Sequence, residues 1–493
     1  MWPQIWTILS ASLYLLNIGL AVAASIMLIS SRRDPVKTLT WVLVLLLLPY
    51  IGIVLYFFFG RNFRKDKMFS RKGASDIALR KELCREMLHD ISKENSLPDE
   101  IRPFSKMIVQ NLKSAQSILA SNNEVKIYFN GKDALNAMLD AMRSAKTHIH
   151  LQSFIIEDDK VGQQFKDVLI AKAKEGVEVR MMYDGFGGRK LSRRFLSELS
   201  DAGVELLNFS PFRLIFLPPI VNYRNHRKIL VVDGQTGFLG GCNIADRYMD
   251  GGDFPEWRDT HVRICGDSVV SLQATFLLDR FFILNNNLKR RRKYYPQIDG
   301  LDKKLCSGKD NRYYAQIISS GPDSDWAAIM QCYFTAITSA KDHIYIITPY
   351  FIPSETILNA IKITALSNVK VCLMVPEKSD TWLTNWGTMS YVTELLEAGV
   401  KVYLFKSGFN HSKVLSIDGE YCIIGSANMD NRSFEHHFEV TSVLYDRECA
   451  KQIEDRFHKD LSRCSIVTRS KWKKRKLKNK IYESVARLVS PLL

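Results

Sequence analysis

The chain has 493 residues, of which 46% are hydrophobic and 24% charged, and its formal net charge is +16. This length excludes a single ordinary domain, so we expect two cores with attachments. The positive charge favours an anionic partner, either a nucleic acid or a membrane rich in acidic lipid. The nine cysteines include no Cys-x-x-Cys pair, which fits a reduced compartment rather than a disulfide framework.

Two uncharged apolar runs come first, Ile5–Ile29 and Leu39–Phe59, and each has about the length that crosses a hydrocarbon core as a helix. The segment Ala21–Ala24 resembles a signal-peptide cleavage site, but no basic region precedes it. We therefore predict a two-helix transmembrane anchor over residues 1–64. Three basic residues lie between the runs and six follow within 61–72, which favours a cell-membrane protein with the rest of its chain in the cytoplasm.

The body of the chain repeats after a polar, charged segment that we interpret as a helical connector over residues 65–115. Ser144–Ile149 parallels Ser339–Ile344, and each copy alternates helix and strand three times before a predicted hairpin. This alternation predicts an α/β fold with two pseudo-symmetric halves, residues 116–300 and 301–465. Each half is expected to hold a mixed sheet between helices, with the two halves facing one another across a shared cleft.

One pattern occurs once in each half at identical spacing. Its members are His226, Lys228, Asp233, Gly240-Gly241 and Asn243, and then His411, Lys413, Asp418, Gly425-Ser426 and Asn428. Residues two apart on a strand share a face, so each histidine is predicted to project together with its lysine. The Asp-Gly pairs predict tight hairpin turns that return each asparagine to its histidine. Although both aspartates belong to the catalytic motif, we expect them to hold these turns rather than touch substrate.

The converging groups suit attack on a singly charged phosphodiester. The lysines offset charge, the carboxamides donate hydrogen bonds to substrate, and the histidines supply the covalent step and the proton transfer. Each histidine also needs a carboxylate that fixes its tautomer, and Asp259 and Glu439 follow the two motifs at comparable distances.

No metal or other cofactor is expected, since no zinc spacing is present. His148-x-His150 and His436-His437 come nearest to a metal-ligand pattern, and we predict packing or supporting roles for them.

The last segment, residues 466–493, is predicted to be a basic amphipathic tail. Basic residues surround Trp472, and an apolar stripe at helical spacing runs from Ile481 to Val489. Such a helix either docks on the body or lies on anionic lipid, and both can hold together.

The duplicated His-Lys-Asp pattern resembles the phospholipase D superfamily, and within it the chain is most similar to the bacterial cardiolipin synthases. The similarity covers nearly all of the chain, including Arg33–Trp41, Phe59–Asn62 and Asp430–Phe434. It departs at His437, where that family often has asparagine. The resemblance implies a membrane enzyme that converts two phosphatidylglycerol molecules into cardiolipin and glycerol without metal or nucleotide. It implies a phosphohistidine intermediate, by weak preference on His226, with His411 as acid and then base.

Several alternatives remain open from the sequence. The nearest is a membrane-anchored phospholipase D that uses water as acceptor, or another phosphatidyltransferase. A nuclease is a remote alternative that the two predicted spans argue against, so no nucleic-acid partner is expected. A lipid-binding scaffold is also remote, because both motifs are complete. The oligomeric state is not predicted.

Overall fold

The structure, a computed structural model, describes residues 97–209, 223–284, 294–296 and 313–489, together with 35–48 and isolated positions elsewhere within 4–89. About half of the predicted anchor over residues 1–64 lies outside the described positions, as does most of the predicted connector before residue 97. In the described ranges we find no helix that combines the length and apolarity needed to cross a membrane.

The secondary structure comprises helices and strands that alternate along both halves. In chain order, the α-helices are α1 (Pro35–Leu47), α2 (Ser105–Ala115), α3 (Gly131–Arg143), α4 (Lys160–Lys174), α5 (Arg193–Asp201), α6 (Arg247–Asp250), α7 (Val269–Leu284), α8 (Ala328–Ser339), α9 (Glu355–Leu366), α10 (Trp382–Ser390), α11 (Val392–Glu397), α12 (Asn431–Glu435), α13 (Arg447–Leu461), α14 (Arg469–Lys473) and α15 (Leu477–Val489). The strands are β1 (Leu119–Ala120), β2 (Asn123–Tyr128), β3 (His148–Ser153), β4 (Glu178–Asp184), β5 (Glu205–Phe209), β6 (Ile229–Val232), β7 (Thr236–Gly240), β8 (Trp257–Arg258), β9 (His261–Gly266), β10 (Tyr314–Ser320), β11 (His343–Ile347), β12 (Phe351–Ile352), β13 (Lys370–Pro376), β14 (Lys401–Phe405), β15 (Phe409–Asn410), β16 (Val414–Ile417), β17 (Tyr421–Gly425), β18 (Met429–Asp430), β19 (Glu439–Tyr445) and β20 (Cys464–Val467).

Two mixed sheets form the body. The first has the strand order β2-β9-β7-β6-β3-β4-β5, and the second β1-β10-β19-β17-β16-β11-β13-β14-β20. In each, three consecutive strands are parallel (β3, β4 and β5; β11, β13 and β14), and the motif hairpin joins them antiparallel through β6 or β16. The prediction of a mixed α/β fold is therefore confirmed.

Side-chain caps explain where many of these helices begin. An Asn, Asp, Ser or Thr side chain accepts a hydrogen bond from the backbone N–H three residues on, which satisfies a donor that the first helical turn leaves unpaired. The capping residues of α3, α4, α5, α9, α10 and α13 are Asn130, Asp159, Ser192, Ser354, Thr381 and Asp446.

Three hydrophobic clusters hold the layers together. One lies between the first sheet and the helices α3, α4 and α5, and another between the second sheet and the helices α2, α8 and α9. The third unites residues of both sheets, such as Val231 and Leu239 with Ile347 and Ile424. Because the two sheets share this central cluster, the strand ends that carry the two motifs are held in a fixed relation to each other.

Part of the predicted connector belongs to the body. Helix α2 buries Met107, Ile108 and Leu112 in the cluster of the second sheet. Asn111 Nδ2 donates to Gln316 Oε1 at 3.0 Å, which ties the helix to β10. Helix α2 and strand β1 thus belong with the second sheet, although both precede the first sheet in the chain.

Candidate active site

Each half supplies a histidine and a lysine where its motif hairpin begins. His226 and Lys228 precede β6, and His411 and Lys413 precede β16. All four residues are buried, with relative exposures of 8%, 2%, 6% and 1%. Each lysine Nζ donates to the carbonyl oxygen of its own histidine. In each half, the histidine and its lysine therefore lie side by side, as the two-residue spacing predicts.

The motif aspartates lie at the opposite end of the hairpins. Asp233 and Asp418 have positive φ angles of 56° and 54°, and the glycine after each is also positive, so both turns are of type I′. Their carboxylates accept hydrogen bonds from backbone N–H groups just before and at the start of β3 and β11, namely those of Lys146, Thr147, His148, Lys341, Asp342 and His343. The structure thus places these two residues at turns and not beside the histidines.

The histidine–carboxylate pairs cross between the halves. His226 Nδ1 lies 3.0 and 3.2 Å from the two carboxylate oxygens of Glu439, which belongs to the second half. His411 Nδ1 lies 2.7 Å from Oδ2 of Asp259, which belongs to the first half. The order of the motifs along the chain suggests pairing within each half, and the geometry differs from that expectation.

Backbone contacts between the halves explain the crossing. The His226 N–H donates to the carbonyl oxygen of Phe438 at 2.9 Å, and the His411 N–H donates to that of Arg258 at 2.7 Å. Each acceptor immediately precedes an orienting carboxylate. Strand β15 also pairs parallel to β8, so the second half lies in register with the residues that lead to Asp259.

The Gly-Gly and Gly-Ser pairs make room for these carboxylates. A Cβ on Gly241 would lie 1.9 Å from Asp259 Oδ1, so no larger residue fits there without displacing the carboxylate. At the equivalent place in the second half, the Ser426 hydroxyl donates to Glu439 Oε2. The motif therefore shapes the two carboxylate sites differently, with the carboxylate packed against a glycine in one and an added hydrogen bond in the other.

The two motif asparagines have different surroundings. Asn243 Nδ2 donates to the Tyr248 hydroxyl at 2.5 Å, and its Oδ1 accepts the Ile155 N–H at 3.0 Å. Asn428 is 5% exposed, and its backbone N–H donates to Ser433 Oγ at 3.1 Å. The structure thus fixes Asn243 within its own half, while Asn428 Oδ1 has no hydrogen-bond partner among the described residues.

Burial dominates the electrostatics of the site. It lowers the pKa of His226 and of His411 well below the usual value, and the neighbouring lysines lower both further. Burial likewise lowers the pKa of Lys228 to about 7 and raises that of Asp259 to about 6. At neutral pH both histidines are therefore uncharged, and each imidazole keeps a lone pair for attack or for accepting a proton.

We expect the Lys228 amine to take up a proton when an oxyanion binds beside it. The amine of Lys228 has a pKa of about 7 in the free protein, so it is mostly neutral at pH 8. A nearby negative charge favours the ammonium form and raises this pKa, so uptake approaches about one proton at pH 8 and falls towards zero by pH 6. Calorimetry of tungstate binding in buffers of different ionisation enthalpy measures the uptake. Unchanged uptake in Lys228→Met would contradict this role of Lys228.

Sequence reasoning missed two buried arginine anchors. Arg227 pairs with Asp279 of α7, and its Nε donates to the carbonyl oxygen of Glu439 at 3.1 Å. Arg258 Nε lies 2.7 Å from Asp460 Oδ2 of α13. Both arginines adjoin a catalytic-motif or carboxylate position, so each buried ion pair fixes the backbone that carries a site residue. A basic residue beside a motif gives no sequence signal for such a distant acidic partner.

His148 and His150 belong to a separate buried network on β3. His148 Nε2 lies 3.0 Å from Gln273 Oε1, and His150 lies 2.8 Å from both Gln273 Nε2 and Arg180 Nη1. These contacts link β3 to α7 and β4.

His437 of the other predicted histidine pair lies at the site itself. One possible ligand atom each from His226, His437 and Glu439 lie within 4.8 Å of one another. This is the only such group of three or more in the part of the chain that the structure describes. Burial lowers the pKa of His437 to about 3, so its ring is neutral.

Comparison with known proteins is consistent with this arrangement. Residues 138–253 and 333–461 match the family model described as cardiolipin synthase, PLD-like domain, and residues 19–61 match phospholipase D-nuclease N-terminal. A cardiolipin synthase of Geobacillus sp. (strain WCH70) is 41% identical over 94% of this chain and 90% of its own length. Cardiolipin synthase 2 of Bacillus anthracis is 40% identical over 94% of this chain and 88% of its own.

Among solved structures, phosphatidylserine synthase of Haemophilus influenzae Rd KW20 has a TM-score of 0.59 at 15% identity, over 79% of this chain and 99% of that one. This likeness shows a shared fold. A duplicated His-Lys-Asp motif on paired mixed sheets is the mark of the phospholipase D-like class. With about 40% identity to curated relatives over nearly its whole length, the chain belongs to the bacterial cardiolipin synthase family of that class.

Proposed function

We propose that the protein is a cardiolipin synthase that transfers a phosphatidyl group from one phosphatidylglycerol molecule to another, releasing glycerol. The observation that carries the proposal is the pair of crossed histidine–carboxylate contacts, with a lysine beside each histidine. Such a transfer requires a neutral histidine for the covalent step and a second histidine that gives and takes the proton.

In the first step, His226 Nε2 attacks the phosphorus of phosphatidylglycerol and the bond to the glycerol headgroup breaks. Glu439 accepts a hydrogen bond from the Nδ1–H of His226, which leaves the lone pair on Nε2. The negative charge of the bound phosphodiester favours the imidazolium form of His411, which Asp259 stabilises, and the departing glycerol oxygen takes the Nε2 proton of this form. The product is a phosphatidyl group joined to His226 through a phosphorus–nitrogen bond.

In the second step, the glycerol hydroxyl of another phosphatidylglycerol attacks the same phosphorus. His411 accepts the hydroxyl proton, since the group that acts as acid in one direction acts as base in the other. The phosphorus–nitrogen bond breaks, and cardiolipin leaves with His226 restored. Lys228 and Lys413 offset the negative charge on the phosphoryl oxygens, which lowers the barrier of both steps.

The difference between the two histidines supports His226 as nucleophile. Its Nδ1 faces the two oxygens of Glu439, so the ring proton lies there and Nε2 is free. His411 Nδ1 instead lies between Asp259 and Lys413 Nζ, which is 3.0 Å away. Because Lys413 competes with Asp259 for Nδ1 of His411, the lone pair on Nε2 of His411 is held less firmly than that of His226.

The proposal includes a membrane-bound protein with a two-span anchor over residues 1–64, a cytoplasmic body and the domain boundaries given above. The uncharged runs, the basic residues after them and the match over residues 19–61 support it.

The proposal also assigns the tail a place on anionic lipid. One side of α15 docks on α10, where the Tyr482 ring lies 5.3 Å from those of Trp382 and Trp386. The other side leaves an apolar stripe at helical spacing, made of residues that are 72%, 52%, 48% and 82% exposed, namely Leu477, Ile481, Val485 and Leu488. The surrounding lysines provide the charge that complements acidic headgroups.

A chain of contacts links this tail to the site. Trp382 of α10 is 53% exposed beside Tyr482, and Asp380, two residues earlier, accepts a hydrogen bond from the Tyr350 hydroxyl at 2.7 Å. Tyr350 in turn lies 6.2 Å from Phe409, whose ring is 5.7 Å from that of His411. A membrane-facing tail would thus set the height of the His411 side of the site above the lipid headgroups.

We expect the double change Ile481→Ser and Leu488→Ser to weaken use of membrane-held substrate. Loss of about 1–2 kcal/mol of apolar contact raises the apparent KM for phosphatidylglycerol in vesicles by about tenfold and leaves kcat unchanged. Initial rates at varied surface fractions of phosphatidylglycerol measure both parameters. The matched control is Trp326→Ser, an apolar residue that is 57% exposed outside the tail. Equal KM values in the tail variant and the control would contradict the lipid-facing tail.

The function itself is tested by incubating the detergent-purified protein with phosphatidylglycerol alone and analysing lipids by mass spectrometry. Cardiolipin and free glycerol in equal amounts are expected. Phosphatidic acid without cardiolipin would instead identify water as the acceptor and the protein as a phospholipase D. No turnover of phosphatidylglycerol would contradict both activities.

A further inference from the structure

A third histidine lies beside the proposed nucleophile without a role in the transfer. The His437 side chain is 12% exposed, and neither ring nitrogen has a hydrogen-bond partner among the described residues. Its Nδ1 is 3.8 Å from Glu439 Oε1, and its ring centre is 5.6 Å from that of His226. Buried polar nitrogens without partners are uncommon in folded proteins, so this ring has unused capacity to bind a ligand.

The backbone fixes the three side chains in one place. His437 lies two residues before Glu439, the first residue of β19, and its Nδ1 is 3.8 Å from Glu439 Oε1, while Phe438 between them packs on Phe209 at 5.0 Å. The N–H of His437 donates to the carbonyl oxygen of Arg432 at 2.8 Å. His226 is brought from the other half by its N–H contact with the Phe438 carbonyl.

We propose that His226, His437 and Glu439 form a binding site for Zn²⁺ or a similar late first-row divalent cation, and that the bound ion holds the enzyme in an inactive state. The inactivation rests on the proposed function, whereas the binding does not. Two imidazoles and one carboxylate, with a fourth position left for water, are a ligand set that zinc readily takes.

The distances suit such an ion after small side-chain movements. The three ligand atoms lie within 4.8 Å of one another. Bonds of about 2.0–2.2 Å in a tetrahedral site place ligand atoms about 3.3 Å apart. The His226 and Glu439 contact at 3.0 Å is already this close, so only the His437 ring has to approach.

Metal binding at His226 Nδ1 removes the nucleophile by a change of tautomer. In the active form the ring proton is on Nδ1, and Nε2 carries the lone pair that attacks phosphorus. When the ion takes Nδ1, the same proton moves to Nε2, and no proton leaves the neutral ring. The Nε2 lone pair needed for the phosphorus–nitrogen bond is then absent. The Glu439 oxygen that accepted the hydrogen bond from Nδ1–H is bound to the ion instead.

The binding test uses the purified full-length protein and Co²⁺ alone as a spectroscopic probe. We expect visible absorption bands of a four-coordinate ion at one equivalent per chain, lost on addition of Zn²⁺. His437→Asn and His437→Gln should each weaken binding about 10–100-fold. His458→Asn, a change at an exposed histidine on α13, is the matched control and should bind Co²⁺ like the unchanged protein. Absence of the bands in the unchanged protein, or an unchanged affinity for Co²⁺ in both His437 variants, would overturn the site.

The second test measures the effect of Zn²⁺ on cardiolipin formation. The concentration that halves the rate should rise at least about tenfold in the His437 variants that turn over substrate. It should remain unchanged in His458→Asn. Equal inhibition of all these proteins by Zn²⁺ would overturn the inactivation. If the protein proves not to form cardiolipin, the Co²⁺ spectra still decide the site, so the two failures remain distinguishable.

Discussion

His226→Ala and His411→Ala each reduce cardiolipin formation by about four to six orders of magnitude. Removal of a nucleophile or of its acid–base partner has effects of this size in other enzymes with covalent intermediates. Both side chains are buried beside a carboxylate and a lysine, so no neighbouring group substitutes for either. Lipid mass spectrometry of the reaction with phosphatidylglycerol measures the loss.

The two variants differ in what they accumulate. His226→Ala forms no covalent phospholipid adduct, because the phosphorus–nitrogen bond requires its Nε2. His411→Ala retains the histidine that forms the adduct and is slowed in both proton transfers, so rapid quenching in denaturing detergent at mildly alkaline pH detects a small amount of labelled adduct. An adduct in His226→Ala and none in His411→Ala would reverse the assignment of nucleophile.

Glu439→Gln and Asp259→Asn should each lower turnover by about three to four orders of magnitude, as expected when an orienting carboxylate becomes an amide. An amide NH₂ turned towards Nδ1 donates where the carboxylate accepts, and this favours the wrong tautomer. Because the pairs cross, Glu439→Gln should resemble His226→Ala and leave no adduct, although Glu439 and His411 share a half. Asp259→Asn should resemble His411→Ala.

The matched control for this pair is Glu448→Gln, a change at an exposed glutamate of the second half that should leave turnover unaltered. The amount of trapped adduct and the steady-state rate are measured for all three variants. Adduct formation that is lost in Asp259→Asn and retained in Glu439→Gln would contradict the crossed pairing in solution.

The sequence predicts the fold well because its signals are local. The Asp-Gly pairs at Asp233 and Asp418 adopt the positive φ angles that the predicted hairpins require. The helix and strand alternation before each hairpin appears in both sheets. Spacing within a strand also predicts that each histidine lies beside its lysine. All of these features depend on residues that are near one another in the chain.

Contacts between distant parts of the chain carry no such signal. Glu439 follows His226 by more than two hundred residues, and nothing in either segment specifies that they meet. The partners of Arg227 and Arg258 also lie on other elements of the chain, α7 and α13. For His437 the sequence predicts a packing or supporting role, since no zinc spacing is present. Only the folded structure shows that its ring lies beside His226 and Glu439.

The crossed pairing also means that the catalytic centre reports on the integrity of the whole body. A half that separated from its neighbour would take the orienting carboxylate away from the other half's histidine, and both imidazoles would lose their preferred tautomer together. Partly unfolded or newly made copies are therefore unable to cleave the phospholipids around them. Catalysis therefore depends on two hydrogen bonds that form only when both halves are folded and in contact.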